Sequence, residues 1–143
     1  MAEGYLIKAN YQKASHTRSF HEWSNSGAFA ALKDDGSVAT WGWGKGSDSS
    51  EVSALLIGVR QIFSTSQAFA ALKEDGSVVS WQGGGGFGPD SDYNSGGDSS
   101  SVADQIESGV VNIFSTRSAF AALKDDGSVV TWGDLRYGGD SSE

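Results

Sequence analysis

The residues best suited to bind an ion are three polar side chains near the middle of the chain. Asp90, Asp92 and Asn94 stand at the first, third and fifth positions of a calcium-binding loop. The sixth position is Ser95, where such a loop needs glycine, and the twelfth is Ser101, where it needs a bidentate glutamate. The calcium pattern is therefore incomplete, and a solvated polar loop is the better interpretation.

Other reactive residue types lack the partners that chemistry would require. The two histidines, His16 and His21, have no further ligands nearby at metal-binding spacing. The glycine-rich stretch 83–88 lacks the Gly-Lys-Ser/Thr ending of a phosphate loop. There is no cysteine, which excludes disulfides, thiolate metal sites and a cysteine nucleophile. We therefore predict a protein that is not an enzyme, with no metal and no cofactor.

Paired carboxylates occur three times, each time in the same 15-residue context. The three copies are AFAALKDDGSVATWG (28–42), AFAALKEDGSVVSWQ (68–82) and AFAALKDDGSVVTWG (119–133). An Asp-Gly pair between two apolar runs is a strong signal for a β-hairpin turn, with glycine at positive φ. Turn formation explains these carboxylates without any catalytic role.

A two-residue turn centred on Asp-Gly would set the register of the first hairpin. Leu32 would then lie opposite Ala39, and Trp41 would lie opposite Ala30. Both faces of the hairpin would be mostly apolar and rich in alanine, which favours a sheet packed between two others. Recurrence at one position of every copy predicts a place in the core for three tryptophans, Trp41, Trp81 and Trp132.

The segments around each hairpin complete a repeat. The sequence IFST (62–65 and 113–116) predicts a strand before the second and third hairpins. Each hairpin is followed by a glycine-containing loop and then GSDSS (46–50) or GGDSS (96–100 and 138–142). The segments 52–55 and 102–106 predict short helices. The chain thus divides into an N-terminal arm, 1–18, and a three-repeat domain, 19–143, with repeats at about 19–57, 58–108 and 109–143.

The N-terminal arm has the alternation of a β-strand. Tyr5, Ile7, Ala9 and Tyr11 alternate with Leu6 and the polar residues of the same stretch. We expect this strand to complete the last repeat or to pair with a neighbouring chain.

The core sequence ALKxDGSVVTWG is preceded by "VxxI" and followed by a loop with paired glycines. It resembles the repeats of the regulator of chromosome condensation family. The resemblance covers about residues 20–143 and implies the blades of a β-propeller. The family's loop reads Gly-Gln-Leu-Gly where this chain has Gly-Gly-Asp-Ser-Ser, and the family has seven copies where this chain has three. The family's best-known member has guanine-nucleotide exchange activity, so the resemblance also implies this activity as a candidate function. We do not expect it from three acidic repeats.

Three blades in a row leave two apolar sheet faces without partners, since a propeller needs about four to eight blades. Two or more copies could complete one another as a partial or oligomer-completed β-propeller, or the chain could belong to a longer array. The alternative is a closed pseudo-threefold body, like a β-trefoil or β-prism.

The charge of the chain limits its partners. A net charge of −8 argues against nucleic acid and against anionic membrane surfaces. No apolar run approaches the roughly 20 residues of a transmembrane helix. Met1 to Ala9 lacks the apolar core of a secretory signal, so no such signal is visible. With neither a transmembrane segment nor a signal peptide visible, no direct membrane insertion is expected.

Aromatic residues that do not recur in the repeats are the candidate binding residues. They lie in the loops after the hairpins, with an arginine beside the last of them: Trp43, Phe87, Tyr93, Arg136 and Tyr137. Loops on a repeat scaffold commonly carry specificity, and the middle repeat has the longest one, 82–98. We therefore predict a non-catalytic protein-interaction or assembly module that binds a protein partner or itself. The alternative is a lectin-like, carbohydrate-binding protein.

Overall fold

Short antiparallel β-strands make up most of the fold. A computed structural model describes residues 5–7, 25–43, 46–82 and 96–141. Within these ranges, nine strands form three separate three-stranded antiparallel sheets. The strands are β1 (Tyr5–Ile7), β2 (Ala28–Lys33), β3 (Val38–Gly42), β4 (Val59–Ser64), β5 (Phe69–Lys73), β6 (Val78–Trp81), β7 (Val110–Ser115), β8 (Ala119–Lys124) and β9 (Val129–Gly133). The predicted mainly-β fold with three tandem antiparallel units is confirmed.

Each sheet is built around one copy of the repeat. The second sheet has the order β4-β5-β6, the third has β7-β8-β9, and IFST contributes the first strand of each as predicted. In the first sheet β1 takes that place, pairing Tyr5 with Lys33 and Ile7 with Ala31. A strand in the arm is confirmed for Tyr5–Ile7, the part of the arm that is described, and it pairs with the first repeat rather than completing the last one. Pairing of the arm with a neighbouring chain stays a prediction. The edge of β2 needs a pairing partner, and β1 supplies it.

The register of the first hairpin differs from the prediction by one residue. Leu32 pairs with Val38, and Phe29 pairs with Trp41. The predicted pairing of Trp41 with Ala30 is therefore wrong, as is the predicted partner of Leu32. The shift places Phe29 and Trp41 on one face of the sheet, and Ala30 and Leu32 on the other.

The register differs because the turn contains three residues rather than two. Lys33 N–H donates to the Ser37 carbonyl at 2.9 Å, and Gly36 N–H donates to the Lys33 carbonyl at 2.9 Å. Turns of this length commonly join a type I turn to a glycine at positive φ. The predicted positive φ is confirmed in all three turns, at +80°, +81° and +85° for Gly36, Gly76 and Gly127.

Short helical segments connect the sheets. A 3₁₀ turn spans Ser53–Leu55, and another at Ser100–Val102 leads into the helix α1, Ala103–Ile106. The helical segments predicted at 52–55 and 102–106 are thus confirmed, and the buried side chain of Ile106 anchors the second. A third 3₁₀ turn, Leu135–Tyr137, follows β9. Across the described ranges, none of these helices has the length and apolar character needed to cross a membrane.

The second sheet lies between the other two, and a separate apolar core fills each interface. The core between the first and second sheets contains Ala28, Ala30, Leu32, Leu56, Val59, Ile62, Phe69, Ala71 and Trp81. The core between the second and third sheets contains Phe63, Ala68, Ala70, Leu72, Val78, Ile106, Val110, Ile113, Phe120, Ala122, Val130 and Trp132. The second sheet contributes alanines to both cores, as predicted for a sheet packed between two others. The first sheet, for which that packing was predicted, has one face in a core and the other exposed at Phe29 and Trp41.

Candidate functional site

Two tryptophans at the same repeat position close the two internal interfaces. Trp81 Nε1–H donates to the carbonyl of Gly46 in the first repeat at 3.2 Å. Trp132 Nε1–H donates to the carbonyl of Gly96 in the second repeat at 2.8 Å. The two tryptophans are only 4% and 1% exposed. Their predicted place in the core is confirmed, and the indole N–H of each is satisfied by the preceding repeat.

The third tryptophan of the series lies on the surface. Trp41 is 42% exposed and Phe29 beside it is 39% exposed, whereas Phe69 at the equivalent position is fully buried. The predicted core position of Trp41 is therefore wrong. Core formation at this position requires a preceding sheet, and no sheet in the described ranges precedes the first. We call the surface formed by Phe29 and Trp41 the leading face.

The opposite end of the stack exposes the complementary half of an interface. Phe114 is 40% exposed, whereas Phe63 at the equivalent position is 2% exposed. Val129 is 53% exposed, whereas Val78 is 9% exposed. We call the outer surface of the third sheet the trailing face; it is formed by Phe114, Ala121, Leu123 and Val129.

An almost wholly apolar groove of about 100 Å³ runs along the trailing face. It is lined by Phe114, Ser115, Thr116, Ala119, Phe120, Ala121, Tyr137 and Gly138. Gly138 has φ +98°, and its repeat equivalents Gly46 and Gly96 have φ +97° and +98°. The groove therefore contains, in the same backbone conformation, the glycine that receives a tryptophan in each internal interface.

The predicted loop residues do not form a single site. Trp43 follows β3 of the first sheet and is 77% exposed. Arg136 and Tyr137 follow β9 of the third sheet, and Tyr137 lines the groove. The Arg136 guanidinium binds both carboxylate oxygens of Asp134, at 3.1 Å and 2.8 Å, and its Cζ lies 6.0 Å from the centroid of the Tyr137 ring. Asp134 thus fixes Arg136 beside the groove.

The remaining predicted residues fall outside the described ranges. They are Phe87 and Tyr93 of the long loop and the calcium candidates Asp90, Asp92 and Asn94. Their roles stay predictions. In the part of the chain that is described, no group of three or more histidine, cysteine, aspartate or glutamate residues could hold a metal ion.

The turn carboxylates are held by serine residues two positions later. Asp35 Oδ1 accepts hydrogen bonds from the Ser37 hydroxyl at 2.6 Å and from the Ser37 backbone N–H at 2.9 Å. These bonds lower the pKa of Asp35 below its ordinary value. Asp75 and Asp126 have the same bonds, and their pKa values are lowered for the same reason. The carboxylates stabilise turns, as the sequence predicted.

A second, polar groove of about 410 Å³ lies between the loops of the first two repeats. It is lined by Asp48, Glu51, Val52, Ser80, Trp81, Gln82, Gly97 and Asp98. Trp81 is the one aromatic residue among the described residues that line this groove, and its side chain is buried. Asp48 and Asp98 accept the backbone N–H groups of Ser50 and Ser100, which makes them loop-stabilising residues.

The residues of the leading and trailing faces, which we together call the end faces, were not identified from the sequence. Phe29, Trp41, Phe114 and Val129 each belong to a recurring position, and recurrence predicts the core. Their place in the first or last copy of the repeat was the available signal, because an end copy has a neighbour on one side only.

No protein-family model matches the sequence, and no curated protein matches it.

Proposed function

We propose that the protein is a non-catalytic protein-interaction or assembly module built from three propeller-type repeats. The observation that carries this proposal is the exposure of Phe29, Trp41, Phe114 and Val129 at positions whose equivalents are buried in the internal interfaces. Apolar residues at the ends of a stack are favourable contact points for another protein, because burying them removes apolar surface from water.

The arrangement of the sheets supports the propeller-type interpretation. Each sheet is a short antiparallel unit packed face to face on the next, and the two internal interfaces use equivalent residues. This is the relation expected between neighbouring blades of the regulator of chromosome condensation type. A closed threefold body would instead bring the third sheet against the first, whereas each apolar core of the described residues joins only sheets that are consecutive along the chain.

The chemistry of the exposed polar groups supports a binding role over catalysis. One carboxylate in each hairpin turn accepts hydrogen bonds from a serine and has a lowered pKa; these are Asp35, Asp75 and Asp126. A general acid or base near neutral pH would need a raised carboxyl pKa. Among the described residues that line the polar groove, the one aromatic side chain, Trp81, is buried, which gives no support to the carbohydrate-binding alternative there.

A photo-crosslinking experiment in cells tests the proposal. A benzophenone amino acid replaces Phe29 on the leading face or Val129 on the trailing face. Leu55, which is exposed on the connection between the first two sheets, is the matched control position. We expect protein adducts from positions 29 and 129 in excess over position 55. Equal, background labelling at all three positions would refute the interaction function.

The long loop provides a separate test of where specificity lies. We expect residues 83–95 to contact a partner or neighbouring subunit, as their aromatic content predicts. Shortening this loop to the length found in the other two repeats should leave the protein folded and weaken partner binding. Unchanged binding by the shortened protein would assign specificity to the end faces alone.

A further inference from the structure

We propose that the partner is a second copy of this chain, whose leading face docks on the trailing face of the first copy. This inference rests on the proposed interaction function and deepens it by naming the partner and the contact. The docked pair would repeat the sheet-to-sheet interface that already occurs twice within the chain.

The receiving half of the interface is already shaped in the third repeat. Phe69 packs on Gly46 so closely that a Cβ on this glycine would lie 2.8 Å from the Phe69 ring. Phe120 packs on Gly96 in the same way, with a corresponding distance of 2.6 Å. The space beside Gly138 is open within 4 Å, although its φ is the same. In the described residues, the position that a phenylalanine ring occupies beside Gly46 and Gly96 is thus open beside Gly138.

The inserting half is already formed in the first repeat. Phe29 and Trp41 stack with their ring centroids 5.5 Å apart, and the equivalent pairs in the second and third repeats are both 5.4 Å apart. In the described part of the chain, the indole N–H of Trp41 has no hydrogen-bond partner, and the Gly138 carbonyl accepts no hydrogen bond. A second copy would join this donor to this acceptor.

A series of backbone hydrogen bonds along the stack gives independent support. Ser26 N–H donates to the Ser66 carbonyl at 2.9 Å, and Ser66 N–H donates to the Arg117 carbonyl at 3.0 Å. These three residues occupy one position of the repeat, so the series continues by one step from each sheet to the next. In the docked pair, Arg117 N–H of the first copy would donate to the Ser26 carbonyl of the second.

The contact must be head-to-tail. If two leading faces met, Trp41 of one copy would face Trp41 of the other. Neither indole N–H would then reach the carbonyl of a Gly138. A head-to-tail contact is heterologous, so repeated docking builds a ring if the rotation closes and a filament if it does not. The two terminal subunits then each keep one free face until the assembly closes.

Mixing two half-blocked variants tests this polarity. Trp41→Lys blocks the leading face, and Val129→Lys blocks the trailing face. Both side chains are substantially exposed in the single chain, so lysine is tolerated in the fold, as circular dichroism would verify. Phe29→Lys and Phe114→Lys serve as second variants of each face. Sedimentation velocity and native mass spectrometry give the stoichiometry.

We expect the wild-type protein to self-associate with rising concentration and each half-blocked variant to remain monomeric. Each block should weaken association by about 30-fold or more, the effect of removing an interface hot spot. An equimolar mixture should form a heterodimer and stop there, because the only remaining faces are blocked. Leu55→Lys, a matched control outside both faces, should associate like the wild type.

Three outcomes would overturn the proposal: a wild-type protein that stays monomeric, a half-blocked variant that still associates alone, or a mixture that stays monomeric. The crosslinking experiment separates these failures from failure of the proposed function. Adducts of positions 29 and 129 with a different protein, together with a monomeric wild type, would overturn self-docking and leave the interaction function intact. Background labelling at both positions would refute both.

Discussion

The second sheet and the two outer sheets have nearly the same sequence and different surroundings. Trp81 of the second sheet is covered by the first sheet, whereas Trp41 of the first sheet lies on the leading face. Gly96 is covered by Phe120, whereas Gly138 borders an open groove. Local sequence therefore determines strands and turns, whereas the neighbour along the stack determines burial.

The largest expected difference concerns the tryptophans. Trp81→Ala should lower the free energy of unfolding by roughly 3–5 kcal/mol, because it leaves a cavity in a packed interface. Trp41→Ala should lower it by about 1–2 kcal/mol in dilute solution, because water already reaches that ring. Urea denaturation of both variants measures the difference, and equal losses would contradict the assignment of the leading face.

The second-largest expected difference is in the stability lost on replacing the two receiving glycines, Gly96 and Gly138, by alanine. Alanine at Gly96 or Gly138 meets the same positive-φ strain, about 1–2 kcal/mol. At Gly96 the added Cβ also collides with Phe120, which should add about 1–3 kcal/mol of overpacking. Gly96→Ala should therefore melt below Gly138→Ala in calorimetry. The reverse order would mean that the trailing face is covered in the isolated chain.

The turn glycines should show a smaller contrast. Gly76→Val and Gly127→Val should each destabilise the protein by more than about 1 kcal/mol, because both glycines have positive φ. Gly76→Val should cost more, since a Cβ there would lie 2.9 Å from the Gly109 backbone nitrogen, whereas the space beside Gly127 is open. Unchanged melting of both variants would refute the turn assignment.

The smallest expected effect is the acid dependence of stability that arises from the turn aspartates, and it should be the same in all three sheets. The serine hydrogen bonds lower the pKa values of Asp35, Asp75 and Asp126 in the folded state. Their stabilisation is therefore complete above the unfolded pKa of about 3.9 and is lost as pH falls through the lower folded pKa. Replacing all three by asparagine should flatten this acid dependence.

The matched control replaces the neighbouring carboxylates instead, as Asp34→Asn, Glu74→Gln and Asp125→Asn together. It removes the same three charges from the turns and leaves the serine hydrogen bonds in place. Unfolding curves recorded from about pH 5 to about pH 2 check the prediction. An unaltered pH profile in the triple variant would show that the serine bonds do not contribute to stability.

Much of the fold could be predicted because it depends on neighbours along the sequence. The strands, the short helices and the positive φ of Gly36 follow from local patterns. The hairpin register could not be fixed, because Asp-Gly fits both two-residue and three-residue turns and the choice depends on the hydrogen bond between Gly36 and Lys33.

The repeat count predicted two apolar sheet faces without partners. Which residues form them could not be predicted from local sequence, because equivalent residues are buried in one copy and exposed in another. The pairing of β1 with β2 could not be predicted from a local pattern either, since it joins Tyr5 of the N-terminal arm to Lys33 of the first repeat. Among the loop candidates, only Tyr137 lies in an apolar groove within the described ranges.

Hydrogen exchange of the indole N–H groups, followed by NMR at low protein concentration, tests the central claim most directly. Trp81 and Trp132 donate to buried carbonyls, so their indole protons should exchange slowly. The indole proton of Trp41 should exchange rapidly in the monomer and become protected as concentration rises. Protection of Trp41 equal to that of Trp132 in the dilute monomer, or free exchange of Trp132, would contradict the account.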